Sequence, residues 1–156
     1  MPIPDFDLYL VTDRNQTQRR ALLWVLERAL EGGVRAVQLR EKDLSGRDLF
    51  QLASKTRELC DRYQAKLFVN DRIDIALAVD AAGVQLGKGS IPIETARRLL
   101  GRRKLIGYSA HSLEEVAARH NLGATGTIAS QLSAGDLADL LAFVKSIDDA
   151  TGKVPN

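Results

Sequence analysis

An α/β fold with a parallel sheet is predicted by three observations. Short β-branched apolar runs alternate with longer stretches of helical period, the runs end in polar clusters, and no Pro-, Gly- or Ser-rich linker or low-complexity stretch divides the 156 residues. Six βα units are legible within a single domain. The first strand spans about Asp7 to Thr12. Its helix runs from about Thr17 to Glu31, with Leu22, Leu23, Leu26, Ala29 and Leu30 at helical spacing, and stops at Gly32-Gly33.

The second strand, Ala36 to Arg40, leads through Lys42-Asp43 to a helix opened by Ser45 and Asp48 at capping-box spacing and ending near Tyr63. Lys66 to Asn70 is the third strand, with a short helix from Ile73 to Val79. Gly83 to Leu86 is the fourth, and its helix runs from near Pro92 to Gly101. The fifth strand, Lys104 to Tyr108, precedes a helix capped by Ser112 and Glu115. In the sixth unit Thr125 to Ala129 is the weakest strand, but Ser133 and Asp136 open a helix with Leu137, Leu140, Leu141, Val144 and Ile147 on one face.

Two architectures satisfy this alternation. A doubly wound open sheet fits the length; a (β/α)₈ barrel fits the strict repeat but ordinarily needs roughly 200 to 250 residues. On length alone the open sheet is favoured.

Composition removes several functional classes. The chain is 45% hydrophobic and 27% charged, with Lys+Arg 22 against Asp+Glu 20. A net charge of +2 without a basic, aromatic-interleaved stripe gives no footing for nucleic acid. No apolar run approaches the roughly 18 residues of a membrane span, and the opening MPIPDFDLYLVTD lacks a signal-peptide layout, so a cytoplasmic protein is expected. Cys60 is the only cysteine and reads as a small core residue, and no Cys/His cluster has zinc spacing.

Ligands of parallel α/β folds bind at the carboxyl ends of the strands. Here those ends read Thr12-Asp13-Arg14, Gln38 to Lys42, Asn70-Asp71-Arg72, Gly87 to Ser90, and Ser109 to Ser112. Strand alternation would point Gln38, Arg40 and Lys42 the same way. Two cations and an amide on one edge suit a phosphate or diphosphate, Arg as a planar fork and Lys as a point charge. The competing reading is an ion-pair cluster with Glu41 and Asp43. Asp71 suits Mg²⁺ facing such a diphosphate, or a cap on the following helix. Gly87-Lys88-Gly89 is no dinucleotide loop, because Pro92 stands where the third small residue belongs, and no GxxxxGK[ST] occurs. His111 reads as loop support, and His120 as a partner of its helix dipole.

Five ordered segments carry a family resemblance. Leu8 to Asp13, Gly33 to Lys42, Val69 to Asp71, Ala82 to Gly87 and Ile106 to Ser112 resemble, in order and spacing, thiamine phosphate synthase and its relative thiazole tautomerase (TenI), over about residues 7 to 120. The resemblance implies a TIM-barrel-type (β/α) fold, here incomplete at about six parallel βα units. It also implies the joining of hydroxymethylpyrimidine diphosphate to thiazole phosphate with Mg²⁺, releasing pyrophosphate. Carried over by motif, Gln38, Arg40, Lys42 and Asn70 would hold the diphosphate and Asp71 the Mg²⁺. Ser109 would contact the pyrimidine side, and Ser130 would be a remnant of the thiazole phosphate half.

Two departures shape the expectation. Ser90 stands where the family's synthases usually carry a second magnesium carboxylate. The family's loop Lys and Gly-Gly phosphate turn are absent, and residues 123–149 resemble the last βα unit, which predicts an internal loss of units six and seven. A diphosphate-binding protein without turnover and a TenI-like tautomerase are the alternative functions. A barrel short of two units leaves unpaired strand edges, which predicts a homo-oligomer or a contracted closure.

Overall fold

The computed structural model describes residues 6–111. The sixth βα unit, the helix opened by Ser112, the proposed internal loss and Ser130 lie outside the described residues. Residues up to Tyr108 form one compact unit and Ser109 opens another. The first unit contains a five-stranded parallel sheet in the order β1-β2-β3-β4-β5, formed by Tyr9–Val11, Ala36–Leu39, Lys66–Asn70, Gly83–Leu86 and Leu105–Tyr108. Between them run α1 (Leu22–Glu31), α2 (Gly46–Arg62), α3 (Ile73–Ala78) and α4 (Ile93–Leu100).

The strand order decides between the two architectures. A doubly wound sheet reverses its winding direction and so places non-consecutive strands side by side. Here every strand pairs with the next in sequence, and each helix packs against the one before it. With right-handed crossovers that arrangement puts all the helices on one face, as in a barrel. The open-sheet preference drawn from length is therefore corrected to an open, incomplete barrel-like sheet.

Alternation along each strand separates the two faces. Val37, Leu39, Leu67, Val69, Val84 and Leu86 are buried and join Leu26, Leu30, Leu49, Ala53 and Leu59 of the helices in one apolar core. On the opposite face Phe6, Tyr9 and Phe68 form an aromatic cluster, with the rings of Tyr9 and Phe68 edge-on at 5.2 Å.

The expected bounds of β3 and β4 match, and those of β2, β5, α2, α3 and α4 hold to within one residue. The first helix does not. Asp13 caps a short 3-10 turn over Arg14–Gln16, accepting from the Asn15 N–H, and Gln18 and Arg19 then adopt positive φ. Left-handed residues cannot propagate an α-helix, so α1 starts only at Leu22. At its other end Gly33, with φ of 103°, lets the chain reverse while Val34 N–H reaches back to the Ala29 carbonyl. Ser45 caps α2 as expected, accepting from the Asp48 N–H at 3.1 Å.

Cys60 is fully buried on α2, and burial pushes its thiol up to about 11. At neutral pH it is protonated and shielded, so iodoacetamide should label it only when the fold opens. Mass spectrometry across a urea series would check this. Rapid stoichiometric labelling of the native protein would contradict the packing of α2.

Candidate active site

The carboxyl ends of β1, β2 and β3 gather most of the residues selected from the sequence. Gln38 is buried on β2 beside Phe68 of β3, and Asn70 ends β3 beside Gln85 of β4. Both lie on the face away from the helices. That face is polar at its upper level: the Tyr9 hydroxyl lies 3.5 Å from Gln85 Oε1. Burial pushes the Tyr9 hydroxyl up to about 12, and a hydrogen bond with Gln38 opposes the rise.

Arg40 and Lys42 are both exposed. β2 ends at Leu39 and Lys42 sits in the turn that follows, so strand alternation does not carry as far as Lys42. The backbone of Arg40 is fixed nonetheless. Its N–H donates to the Thr12 hydroxyl at 2.9 Å, and the Thr12 N–H donates to the Gln38 carbonyl at the same distance. Thr12 is buried, so the loops after β1 and β2 are tied by a hydrogen bond shielded from water.

The ion-pair cluster weighed as an alternative for Arg40 and Lys42 exists, but its cation is Arg14. The Arg14 guanidinium meets Glu41 Oε2 at 3.1 Å and grips Asp43 with both terminal nitrogens, at 2.5 and 2.7 Å. The Arg14 main-chain N–H also reaches both Glu41 oxygens, at 3.1 and 3.2 Å. Glu41 is almost wholly buried, so its carboxylate requires this compensation. The bond from Arg14 is the largest influence holding the Asp43 carboxyl below the usual range. Among the described residues, Arg40 and Lys42 form no ion pair.

Asp71 has φ of 63°, a left-handed conformation that Asp tolerates better than most side chains. Its N–H donates to the Gln85 carbonyl at 2.9 Å, while Arg72 N–H turns back to the Asn70 carbonyl at 2.8 Å. The N-cap of α3 is Arg72, with no side-chain cap bond, so the helix-cap alternative for Asp71 does not hold. Arg72 instead pairs with Asp74. The Asp71 carboxylate is exposed and forms no ion pair among the described residues.

No three His, Cys, Asp or Glu side chains converge as a metal cluster among the described residues. Mg²⁺ commonly takes one or two protein carboxylates and completes its shell with waters and substrate phosphates. Asp71 fits that mode. Ser90 lacks a carboxylate and serves its own loop, its hydroxyl accepting from the Gly87 N–H at 2.8 Å. A separate cleft of about 340 Å³ opens between β1 and α1 and touches Thr12 and Asp13, but neither Arg40 nor Asn70 lines it. Ser109 is exposed and belongs to the second unit.

Thr12 and Arg14 are the residues to which the sequence reading gave no role. Their only signal was the polar run Thr12-Asp13-Arg14 at the first strand end. Pairing across 27 residues between two loops leaves no local spacing to detect.

This pattern of strand ends has a matching family model. Residues 8–136 match the model described as TMP-TENI, thiamine monophosphate synthase. The chain belongs to this thiamine monophosphate synthase family. A thiamine-phosphate synthase of Clostridium acetobutylicum is 44% identical over 156 residues, covering 97% of this chain and 74% of that protein. A Geobacter sulfurreducens protein is 55% identical over 120 residues, covering 77% of this chain and 56% of its own length. Among solved structures, thiamine phosphate pyrophosphorylase from Pyrococcus furiosus superposes with a TM-score of 0.69 at 40% identity, covering 76% of this chain and 57% of that one. The chain thus spans little more than half the length of several thiamine monophosphate synthase relatives. No helix among the described residues is long and apolar enough to cross a membrane.

Proposed function

We propose that the chain binds a diphosphate ester at the carboxyl ends of β2 and β3, and that it acts as a thiamine phosphate synthase. The substrates are hydroxymethylpyrimidine diphosphate and thiazole phosphate. The observation that carries this reading is the division of charges after β2: Arg14 occupies both Glu41 and Asp43, and Arg40 and Lys42 remain to meet an anion. Gln38 and Asn70 add neutral donors on neighbouring strands.

In the proposed reaction the bond between the pyrimidine methylene carbon and the diphosphate oxygen breaks, and its electron pair leaves with pyrophosphate. The resulting carbocation is attacked by the lone pair of the thiazole nitrogen, forming the new C–N bond. Arg40 and Lys42 stabilise the charge that develops on the leaving group, which is where preorganised cations lower a barrier. Gln38 and Asn70 orient the diphosphate so that its methylene carbon faces the nucleophile. Mg²⁺ held by Asp71 and the phosphate oxygens would add further neutralisation of the leaving group.

A second reading is favoured by Ser90, whose hydroxyl is engaged by its own loop in place of a second magnesium carboxylate. It is diphosphate binding without turnover. The unpaired edge that β1 presents among the described residues is compatible with a homo-oligomer, and a cytoplasmic location completes the reading.

Titrating the full chain with inorganic pyrophosphate and Mg²⁺ in a calorimeter, alongside an assay of thiamine phosphate from both substrates, tests these readings. Binding with product formation is the expected result. Binding without product would select the second reading, and no binding would remove both.

A further inference from the structure

We propose that Arg14 is a positioning residue that keeps the strip Arg40–Asp43 cationic by sequestering the two carboxylates interleaved with its cations. The inference rests on the diphosphate reading above, and it concerns a residue outside the anion-contacting set.

Along the chain the strip reads cation, anion, cation, anion, and would sum to zero on its own. Side chains adjacent in a turn are close enough to neutralise one another, and a neutral strip has little attraction for a diphosphate. Arg14, from the preceding βα loop, takes up both anions at once. Its guanidinium forks onto Asp43 and also reaches Glu41, whose oxygens accept the Arg14 main-chain N–H as well. A planar fork holds two carboxylates in fixed geometry, which the point charge of an ammonium does not impose. Two loops share this arrangement, because Thr12, two residues before Arg14, also holds the Arg40 N–H. Asp43 lies far in the open, its side chain 57% exposed, and the bond to Arg14 is the largest influence on its carboxylate, ahead of those from its own backbone and from Asn15.

The test is a double-mutant cycle on the full chain, read by calorimetric binding of inorganic pyrophosphate. R14Q should weaken binding about tenfold, equivalent to ~1.4 kcal/mol. D43N in the R14Q background should recover most of that loss, whereas D43N in the unmodified chain should change affinity less than about twofold, since that carboxylate is already neutralised. Equal gains from D43N in both backgrounds would reduce the effect to bulk charge and overturn the inference, as would undiminished binding by R14Q. A purely structural staple would show no recovery in the double variant. R14K provides a second route if R14Q unfolds: it should bind severalfold more weakly and be restored by D43N, and unweakened binding would overturn the inference. Absence of pyrophosphate binding by the unmodified chain would overturn the diphosphate reading and this inference together; binding without coupling would overturn this inference alone.

Discussion

Replacing Arg40 with alanine is expected to weaken pyrophosphate binding by about 10- to 100-fold, the equivalent of the ~1.5–3 kcal/mol that a hydrogen bond to a charged group contributes. Arg40 is exposed, and its tie to the fold is its main-chain N–H on the Thr12 hydroxyl. Alanine keeps that bond. The melting temperature should therefore stay close to that of the unmodified protein while affinity collapses, a combination that general unfolding cannot produce. Arg40→Lys should fall between the two, because the ammonium preserves the charge and loses the bidentate geometry. Calorimetric titration with pyrophosphate, paired with a thermal melt of each variant, would check both statements. Full affinity in Arg40→Ala would remove Arg40 from the site.

Gly83→Ala should be the most damaging single methyl addition in the sheet. A Cβ at Gly83 would stand 2.2 Å from the Leu105 carbonyl oxygen and 2.7 Å from its carbon, both backbone atoms. Neither can rotate aside, because β4 and β5 are held in register there by Gly83 opposite Leu105 and by the Leu105 N–H on the Ala82 carbonyl. Overpacking of this kind costs about 1–3 kcal/mol or more, and here the relief must come from parting two strands. Gly107→Ala provides the internal comparison. Its added methyl would meet Gln85 Oε1 at 2.1 Å, a side-chain terminus that can swing away, so the stability loss should be smaller. The displaced amide would instead lose its place beside the Tyr9 hydroxyl. Urea melts of the two variants would test the order; Gly107→Ala unfolding more easily than Gly83→Ala would reverse the argument.

Much of the fold was legible because parallel βα units write themselves locally. Strands buried on both sides need uninterrupted apolar runs such as Leu67-Phe68-Val69, and Ser45 with Asp48 marks a helix start without reference to the rest of the chain. The start of α1 was not legible. Nothing in the letters Gln18-Arg19 announces two left-handed residues, since neither is glycine or asparagine. The choice of barrel over doubly wound sheet also escaped composition and periodicity, because winding direction is a relation between units and each unit reads the same either way.

The candidate site divides along the same line. Gln38, Arg40, Asn70 and Asp71 are candidates because strand ends are visible in sequence and their residue types suit a diphosphate. The partner of Glu41 was not legible, since charge pairing between loops is decided by three-dimensional proximity. Sequence alone offered Glu41 and Asp43 as partners of Arg40 and Lys42, and the folded loops give them to Arg14. Residue type likewise left Asp71 as either cap or ligand, and the backbone at Arg72 removed the cap.

The sequential strand order has a kinetic consequence. Tyr9 pairs with Ala36, Ala36 with Lys66, Phe68 with Gly83 and Gly83 with Leu105, so among the described residues each strand pairs with its neighbour in sequence. Each loop that must close is short on the scale of the polypeptide, and closure entropy grows only slowly with loop length. Such a ladder can assemble directionally, every newly docked strand becoming the template for the next, while each parallel pairing must wait for the helix between its strands and is slow for that reason. The transient leading edge is then the most vulnerable point of the pathway, because at each stage it displays an unpaired backbone until the following unit arrives.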